Sequence, residues 1–168
     1  MKKILFFLCV AFMAQSSITA QKFAYVDVEK ILNELPDYKK AQTDLDNIAS
    51  KWKQEIAQEY DKIKGLYNKY QAEQVLLSDD ARKQREDEIN QKEKEVRELQ
   101  KTKFGTDGAL FQKRQELVKP IQDKVYAAIE KYALDKTFDF IFDKGTAGMI
   151  FSSSKFDVTA DISKILNK

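Results

Sequence analysis

Apolar residues recur through the middle of the chain with the spacing of an α-helix. Between Ala41 and Tyr70 they follow one another every three or four positions. The mean spacing is about 3.6, which keeps them on one face of a helix. A thinner stripe of the same kind runs from Ile89 to Tyr132. Two helices with one apolar face each can bury those faces against each other, so the pattern predicts a long antiparallel helical hairpin.

The junction between the two stripes predicts where this hairpin turns. Ser78 is a typical N-cap residue, and Asp79 and Asp80 follow it where the positive end of a helix dipole favours acids. We therefore predict an arm over residues 37–132 with its tip near residues 77–83. The alternative is a single helix that continues through Ser78.

Two glycines interrupt the second stripe. Gly105 and Gly108 each cost about 1 kcal/mol relative to Ala inside a helix. Folding the chain back at Ser78 places Gly105 opposite Trp52, where a glycine could make room for the indole. A hinge or a local break of the helix explains the pair equally well, and the sequence leaves both explanations open. Asp37 is predicted to cap the start of the arm.

The two ends of the chain carry strand patterns. Residues 23–28 are rich in β-branched and aromatic side chains, and residues 138–143 alternate with three Phe on one side. A turn containing two glycines then leads to a short apolar run at 149–151, which predicts a β-hairpin. Asp157 or Thr159 is predicted to cap a final short helix.

The predicted fold class is mostly α with a small β body from which the helical hairpin projects. The body comprises residues 21–36 and 133–168, and its short strands carry more apolar side chains than one small sheet can cover. Oligomerisation would bury that surface together with the open strand edges. The predicted interface residues on the body strands are Ala24, Tyr25, Val26, Val28, Phe138, Phe140, Ile141, Phe142, Met149, Ile150 and Phe151.

The first twenty residues have the three parts of a signal peptide. Lys2-Lys3 forms a basic start, residues 4–13 are apolar but too few to cross a bilayer, and a run of small and polar residues ends at Ala20. We predict a signal peptide over residues 1–20, cleavage after Ala20 and export to the periplasm. The mature chain, residues 21–168, is expected to form a single domain.

Composition excludes several classes of function. Removal of Lys2 and Lys3 leaves 27 basic and 27 acidic residues, so the charge balance does not predict nucleic-acid binding. The sequence has no His, and its one cysteine, Cys9, lies in the predicted signal peptide. The commonest general base and the usual transition-metal ligands are therefore missing. We predict that the protein is not an enzyme and that it needs no cofactor and no metal.

Apolar side chains of the arm remain as candidates for binding. Most of those on the stripe are expected to fill the seam of the hairpin, whereas Leu66, Val75 and Leu77 lie off the stripe and offer apolar area to a partner. The candidate contact residues on the arm are Trp52, Tyr60, Leu66, Tyr67, Tyr70, Val75 and Leu77.

The order and spacing of several segments resemble one known family. These segments are residues 23–32, Leu35-Pro36, the tip at 77–83, Pro120-Ile121, residues 138–143 and Asp157-Val158-Thr159. With its signal peptide and long charged helical pair, the chain is similar over essentially its whole mature length to the Skp/OmpH family of periplasmic chaperones.

The resemblance implies a jellyfish-like homotrimer, in which the β body holds three helical arms around a cavity. It also implies that the protein holds unfolded outer-membrane β-barrel proteins soluble without ATP, and the arm residues named above are the candidate contacts with them. The best-known members of the family are markedly basic, a property linked to lipopolysaccharide or membrane contact, and the neutral mature chain does not support such contact here. A structural coiled-coil adaptor or spacer of an envelope complex is the alternative function.

Overall fold

The computed structural model describes residues 21–167, so the predicted signal peptide lies outside the described residues. The elements in chain order are β1 (Phe23–Val26), α1 (Val28–Glu34), α2 (Pro36–Glu73), α3 (Asp79–Phe104), α4 (Ala109–Asp135), β2 (Phe140–Asp143), a 3₁₀ turn (Ser154–Phe156) and α5 (Thr159–Leu166). We call β1, α1, β2 and α5, with the adjoining ends of α2 and α4, the base. The rest of α2 and α4, together with α3, is the arm.

The arm is the predicted helical hairpin. Its first helix, α2, has 38 residues, which is about 57 Å at 1.5 Å per residue. The chain turns before Ser78, whose Oγ accepts a hydrogen bond from the Ala81 N–H at 3.3 Å. The predicted turn and cap are confirmed, and the single continuous helix is excluded.

The start of the arm differs from the prediction. Helix α2 begins at Pro36, with Leu35 as its N-cap residue, so Asp37 lies in the first turn instead of capping it. The reason is that proline has no N–H to satisfy and a φ angle already suited to the first helical position. Asp37 still lies where the helix dipole favours an acid.

The glycine pair marks a break of the returning helix. Helix α3 ends at Phe104 and α4 begins at Ala109. A Cβ atom added to Gly105 would lie 2.5 Å from the Lys101 carbonyl oxygen, and one added to Gly108 would lie 2.9 Å from the Thr102 carbonyl oxygen. The glycines therefore make room for the backbone of the last turn of α3. The local break is the correct alternative, and the Trp52 ring lies against the Phe104 ring.

The base contains a two-stranded parallel sheet. The register pairs Phe23 with Phe140 and Val26 with Asp143. Parallel strands need a long crossover connection, and here the whole arm provides it. Strand β1 ends at Val26, two residues earlier than predicted, because the Asp27 side chain accepts from the Lys30 N–H and caps α1. Val28 is therefore helical.

The predicted β-hairpin is wrong, because residues 149–151 do not form a strand in the described chain. After β2 the Ala147 N–H bonds back to the Asp143 carbonyl oxygen at 2.9 Å and closes a tight turn. The chain then crosses to the other side of β1, where the Val158 N–H donates to the Tyr25 carbonyl oxygen at 3.0 Å. A segment that has to cross the sheet cannot also run beside β2.

Helix α5 closes the base. Ile162 on α5 is fully buried together with Ile31 of α1 and Val125 of α4. The Asp157 side chain accepts from the Thr159 N–H at 2.9 Å just before α5 begins. Asp157 is therefore the better of the two predicted caps, although Val158 is the N-cap residue by position. Thr159 has another role, since its Oγ1 accepts from the Asp27 N–H.

Candidate binding surfaces of the base and the arm

One face of β2 presents aromatic rings to solvent. Phe140 and Phe142 are about half exposed and stack with ring centroids 6.2 Å apart. Ile141, between them, points the other way and packs against the core of the base, as the alternation of a strand requires. In the described chain β2 pairs only with β1, so its outer edge carries unpaired backbone groups.

The segment that follows β2 adds further apolar surface. The exposed fractions are 103% for Ile150 and 87% for Phe151. Phe151 also lines an apolar cavity of about 240 Å³, together with Tyr25, Phe142 and Met149. A monomeric soluble protein rarely exposes so many large apolar side chains on one small part of its surface.

The predicted interface residues fall into three groups in the structure. Four lie in the chain's own core, namely Ala24, Tyr25, Val26 and Val28. Phe138, Ile141 and Met149 are partly buried. Phe140, Phe142, Ile150 and Phe151 are exposed and accessible to a second molecule.

The seam of the arm follows a spacing of seven residues. Ile56 and Ile63 on α2 are buried against Ile89 and Val96 on α3. Pairs of helices commonly use this period, which is slightly shorter than two turns of a straight helix. The buried positions therefore do not follow the 3.6-residue spacing of the predicted stripe throughout. Leu66, which was predicted to lie off the stripe, packs into the seam.

Two tyrosines join the helices of the arm through their hydroxyl groups. Tyr67 Oη donates to the Glu93 carboxylate at 2.9 Å, and Tyr70 Oη donates to Glu86. Each of these hydrogen bonds to a carboxylate raises the pKa of the tyrosine, so both hydroxyls remain donors at neutral pH. The Tyr70 ring lies against the seam, whereas the Tyr67 ring remains 40% exposed.

Trp52 contacts the end of α3. Its ring meets the Phe104 ring edge-on, with centroids 6.2 Å apart, and the Lys103 Nζ lies 4.7 Å from the indole centroid. Both contacts leave Trp52 only partly exposed. Tyr60, 45% exposed, offers more surface to a partner.

The tip carries the most exposed aliphatic side chains of the arm. Val75 is 81% and Leu76 is 84% exposed, whereas Leu77 is partly buried. Leu76 is not among the candidate contacts predicted from the sequence. That prediction also missed Phe111 and Tyr126 on α4, both of which are exposed. The sequence could have indicated Phe111 and Tyr126, because each directly follows an apolar residue of the stripe and so lies beside the buried face of the helix.

The salt bridges of the arm join residues three or four positions apart on the same helix. Lys92 Nζ lies 2.7 Å from Glu95, and Lys119 Nζ lies 2.9 Å from Asp123. Such exposed pairs contribute little to stability. In the chain from 21 to 167 no cluster of His, Cys, Asp or Glu is suited to a metal ion. No helix in that range is long and apolar enough to cross a membrane.

Comparison with known proteins identifies the family. Residues 22–166 match the model of the OmpH-like outer membrane protein family. An uncharacterized protein of Aquifex aeolicus (strain VF5) is 33% identical over 146 residues, which cover 87% of this chain and 86% of the relative. The chain therefore belongs to the OmpH-like family, as the resemblance of its sequence predicted.

A solved structure has the same fold. It is an OmpH-like protein from Caulobacter crescentus CB15, provisionally described as an outer membrane chaperone. The TM-score is 0.71 at 11% sequence identity, over 89% of this chain and 85% of that chain. At this identity the likeness establishes the fold of the helical arm and the small base, and does not by itself establish a function.

Proposed function

We propose that this protein is an ATP-independent holdase chaperone of the periplasm, which keeps unfolded outer-membrane β-barrel proteins from aggregating. The observation that carries the proposal is that the base and the arm expose different kinds of apolar surface. The base exposes large apolar side chains suited to self-association, whereas the arm is built on α2, a helix of about 57 Å, and exposes separate aromatic rings between charged residues. Membership of the OmpH-like family supports a chaperone-type function.

The exposed surface of the base is proposed to hold three copies together. Phe140, Phe142, Ile150 and Phe151 are the contact residues in this proposal, and the open edge of β2 offers backbone hydrogen bonds to a neighbouring copy. The buried residues of β1 act indirectly, because they hold β2 in place. The number three rests on the resemblance to the Skp/OmpH family.

The arms of such a trimer are proposed to enclose the unfolded client. Tyr60 and Tyr67 are the best placed of the predicted contact residues, because both rings remain substantially exposed. Trp52, Leu66 and Tyr70 hold the arm together and offer the client less area. Many weak contacts of this kind suit a chaperone that accepts varied unfolded chains and releases them without ATP.

The proposed function requires export of the protein to the periplasm. The signal peptide predicted over residues 1–20 would deliver the chain to the periplasm, where unfolded β-barrel proteins pass before assembly. The mature chain has equal numbers of basic and acidic residues, so we do not propose binding to lipopolysaccharide or to anionic lipid.

The experiment is an aggregation assay. An unfolded β-barrel protein is diluted from denaturant into increasing amounts of residues 21–168, and its light scattering is followed. We expect scattering to disappear at a defined ratio, and Tyr60→Ser combined with Tyr67→Ser to raise the amount required. Ile165→Ser is the matched control, because Ile165 is 44% exposed but lies on the base. Aggregation of the client at every ratio would contradict the proposal.

A tip-docking adaptor is the second candidate function. The observation that favours it is the exposure of Val75 and Leu76 at the far end of the arm, where they could enter an apolar groove of a partner. An adaptor would show one saturable partner, would lose it on Val75→Ser with Leu76→Ser, and would not protect unrelated clients. In a holdase the same double substitution should leave protection nearly unchanged.

A further inference from the structure

The folded base begins at Lys22. The Lys22 N–H donates to Asp139 Oδ2 at 2.6 Å, and the Lys22 carbonyl oxygen accepts from the Asp139 N–H at 2.7 Å. The Lys22 Nζ donates to the Lys136 carbonyl oxygen at 2.6 Å and lies 4.4 Å from the centroid of the Phe138 ring. Gln21, the residue before, is exposed. Cleavage after Ala20 would therefore leave one residue in front of the first anchored position.

We propose that Gln21 becomes the N-terminal residue of the exported protein and cyclises to pyroglutamate. The inference rests on the export included in the proposed function. A signal peptidase hydrolyses the Ala20–Gln21 bond and frees the α-amine of Gln21. The amine nitrogen attacks Cδ of the same side chain, a five-membered lactam forms, and the Cδ–Nε2 bond breaks. The amine's proton goes to the departing nitrogen, which leaves as ammonia, so no oxidant or reductant is needed.

The surroundings of Gln21 permit this reaction. Cyclisation needs an unprotonated amine, and an α-amine has a pKa of about 8, so part of it is neutral at ordinary pH. The Asp139 carboxylate keeps its negative charge while it accepts the Lys22 N–H, so it favours the ammonium form of the nearby amine. Lys22 itself brings a positive charge to the next residue, which disfavours a second cation at Gln21.

The lactam would protect the end of the sheet. An aminopeptidase needs a free α-amine, and trimming of only two residues would remove Lys22 with its contacts to Asp139, Lys136 and Phe138. Strand β1 begins at the very next residue, Phe23. A blocked terminus keeps the strand and its first anchor intact in a compartment that contains peptidases.

The test is the intact mass of the protein exported by a bacterial host from the full-length chain. We expect the mass of residues 21–168 less one ammonia, and an N-terminal peptide that resists Edman degradation until pyroglutamyl peptidase opens it. Gln21→Ala is the matched control, because it keeps Lys22 and its contacts but cannot cyclise. This variant should have a free amine and be shortened by an aminopeptidase that leaves the exported wild type intact.

Two results would overturn the inference. One is the full, uncyclised mass of residues 21–168 after purification. The other is a terminus at a different residue, which would also remove the proposed cleavage site. Neither result bears on holdase activity, because the aggregation assay uses residues 21–168 made without the signal peptide. Failure of this inference and failure of the proposed function are therefore distinguishable.

Discussion

Trp52 and Phe104 meet edge-on across the arm, with ring centroids 6.2 Å apart. Their sequence midpoint is residue 78, which is the serine that caps α3. The contact therefore fixes the register of the hairpin at the point where the returning helix breaks. Because edge-to-face aromatic pairs and cation–π contacts stabilise beyond simple burial, this pair is an important part of the arm's stability.

Removal of the indole tests that role. We expect Trp52→Ala to destabilise the arm by about 1–3 kcal/mol, since it loses both the Phe104 contact and the Lys103 contact. Hydrogen exchange should show faster opening of amides in α3 while the base remains protected. Tyr60→Ala, which removes a more exposed ring of α2, is the control and should change exchange little. Equal effects of the two substitutions would show that the Trp52 contact has no special role.

Alanine substitutions at two glycines should change the free energy of unfolding in opposite directions. An added Cβ at Gly105 would lie 2.5 Å from the Lys101 carbonyl oxygen, whereas at Gly65, inside α2, it would meet nothing within 4 Å. We expect Gly105→Ala to lower the free energy of unfolding by about 1–3 kcal/mol. Gly65→Ala should raise it by about 0.5–1 kcal/mol, because alanine favours a helix interior. Denaturant titration of both variants measures the difference, and stabilisation by Gly105→Ala would mean that the helix is continuous there.

Asp157 should make the base sensitive to acid. Partial burial opposes its charge, but hydrogen bonds from the hydroxyl and the N–H of Thr159 and from the Tyr25 side chain outweigh this, so the pKa of Asp157 is lowered. The unfolded chain then binds a proton at higher pH than the folded one. The stabilisation is present above the unfolded pKa, about 3.9, and is lost as the pH falls through the folded pKa.

The check is a comparison of stability across the acid range. We expect wild type to lose stability between neutral pH and pH values below the unfolded pKa, and Asp157→Asn to lose less over the same interval because it has no proton to take up. Asp37→Asn serves as the control at a carboxylate in the first turn of α2. An unchanged pH dependence in Asp157→Asn would rule out the carboxylate as a contributor.

The sequence predicted the arm better than the base, for a physical reason. Helix period and the Ser78 cap depend on neighbouring residues, so the hairpin, its turn and its register follow from local pattern. The details that failed depend on the partner helix. Leu66 lies in the seam because two packed helices follow a seven-residue spacing, and the same spacing leaves Tyr67 40% exposed beside the seam.

Pairing in the base could not be predicted from local pattern. Residues 149–151 have strand composition, but whether they pair depends on where the chain must go next. The bond from Val158 to Tyr25 requires the segment to cross the sheet. Burial of Ala24 and exposure of Ile150 are likewise consequences of packing, since both residues are apolar and both were assigned to the same predicted interface.

The most direct test of the central claim is the solution mass of residues 21–168, measured by light scattering before and after addition of an unfolded β-barrel client. We expect a trimer that gains the mass of the client and keeps it soluble. Phe140→Asp with Phe142→Asp should give a monomer that lets the client aggregate, while Phe111→Asp, an exposed ring on α4, should leave the trimer intact. A wild-type monomer, or a trimer that leaves the client to aggregate, would show that the protein is not a trimeric holdase.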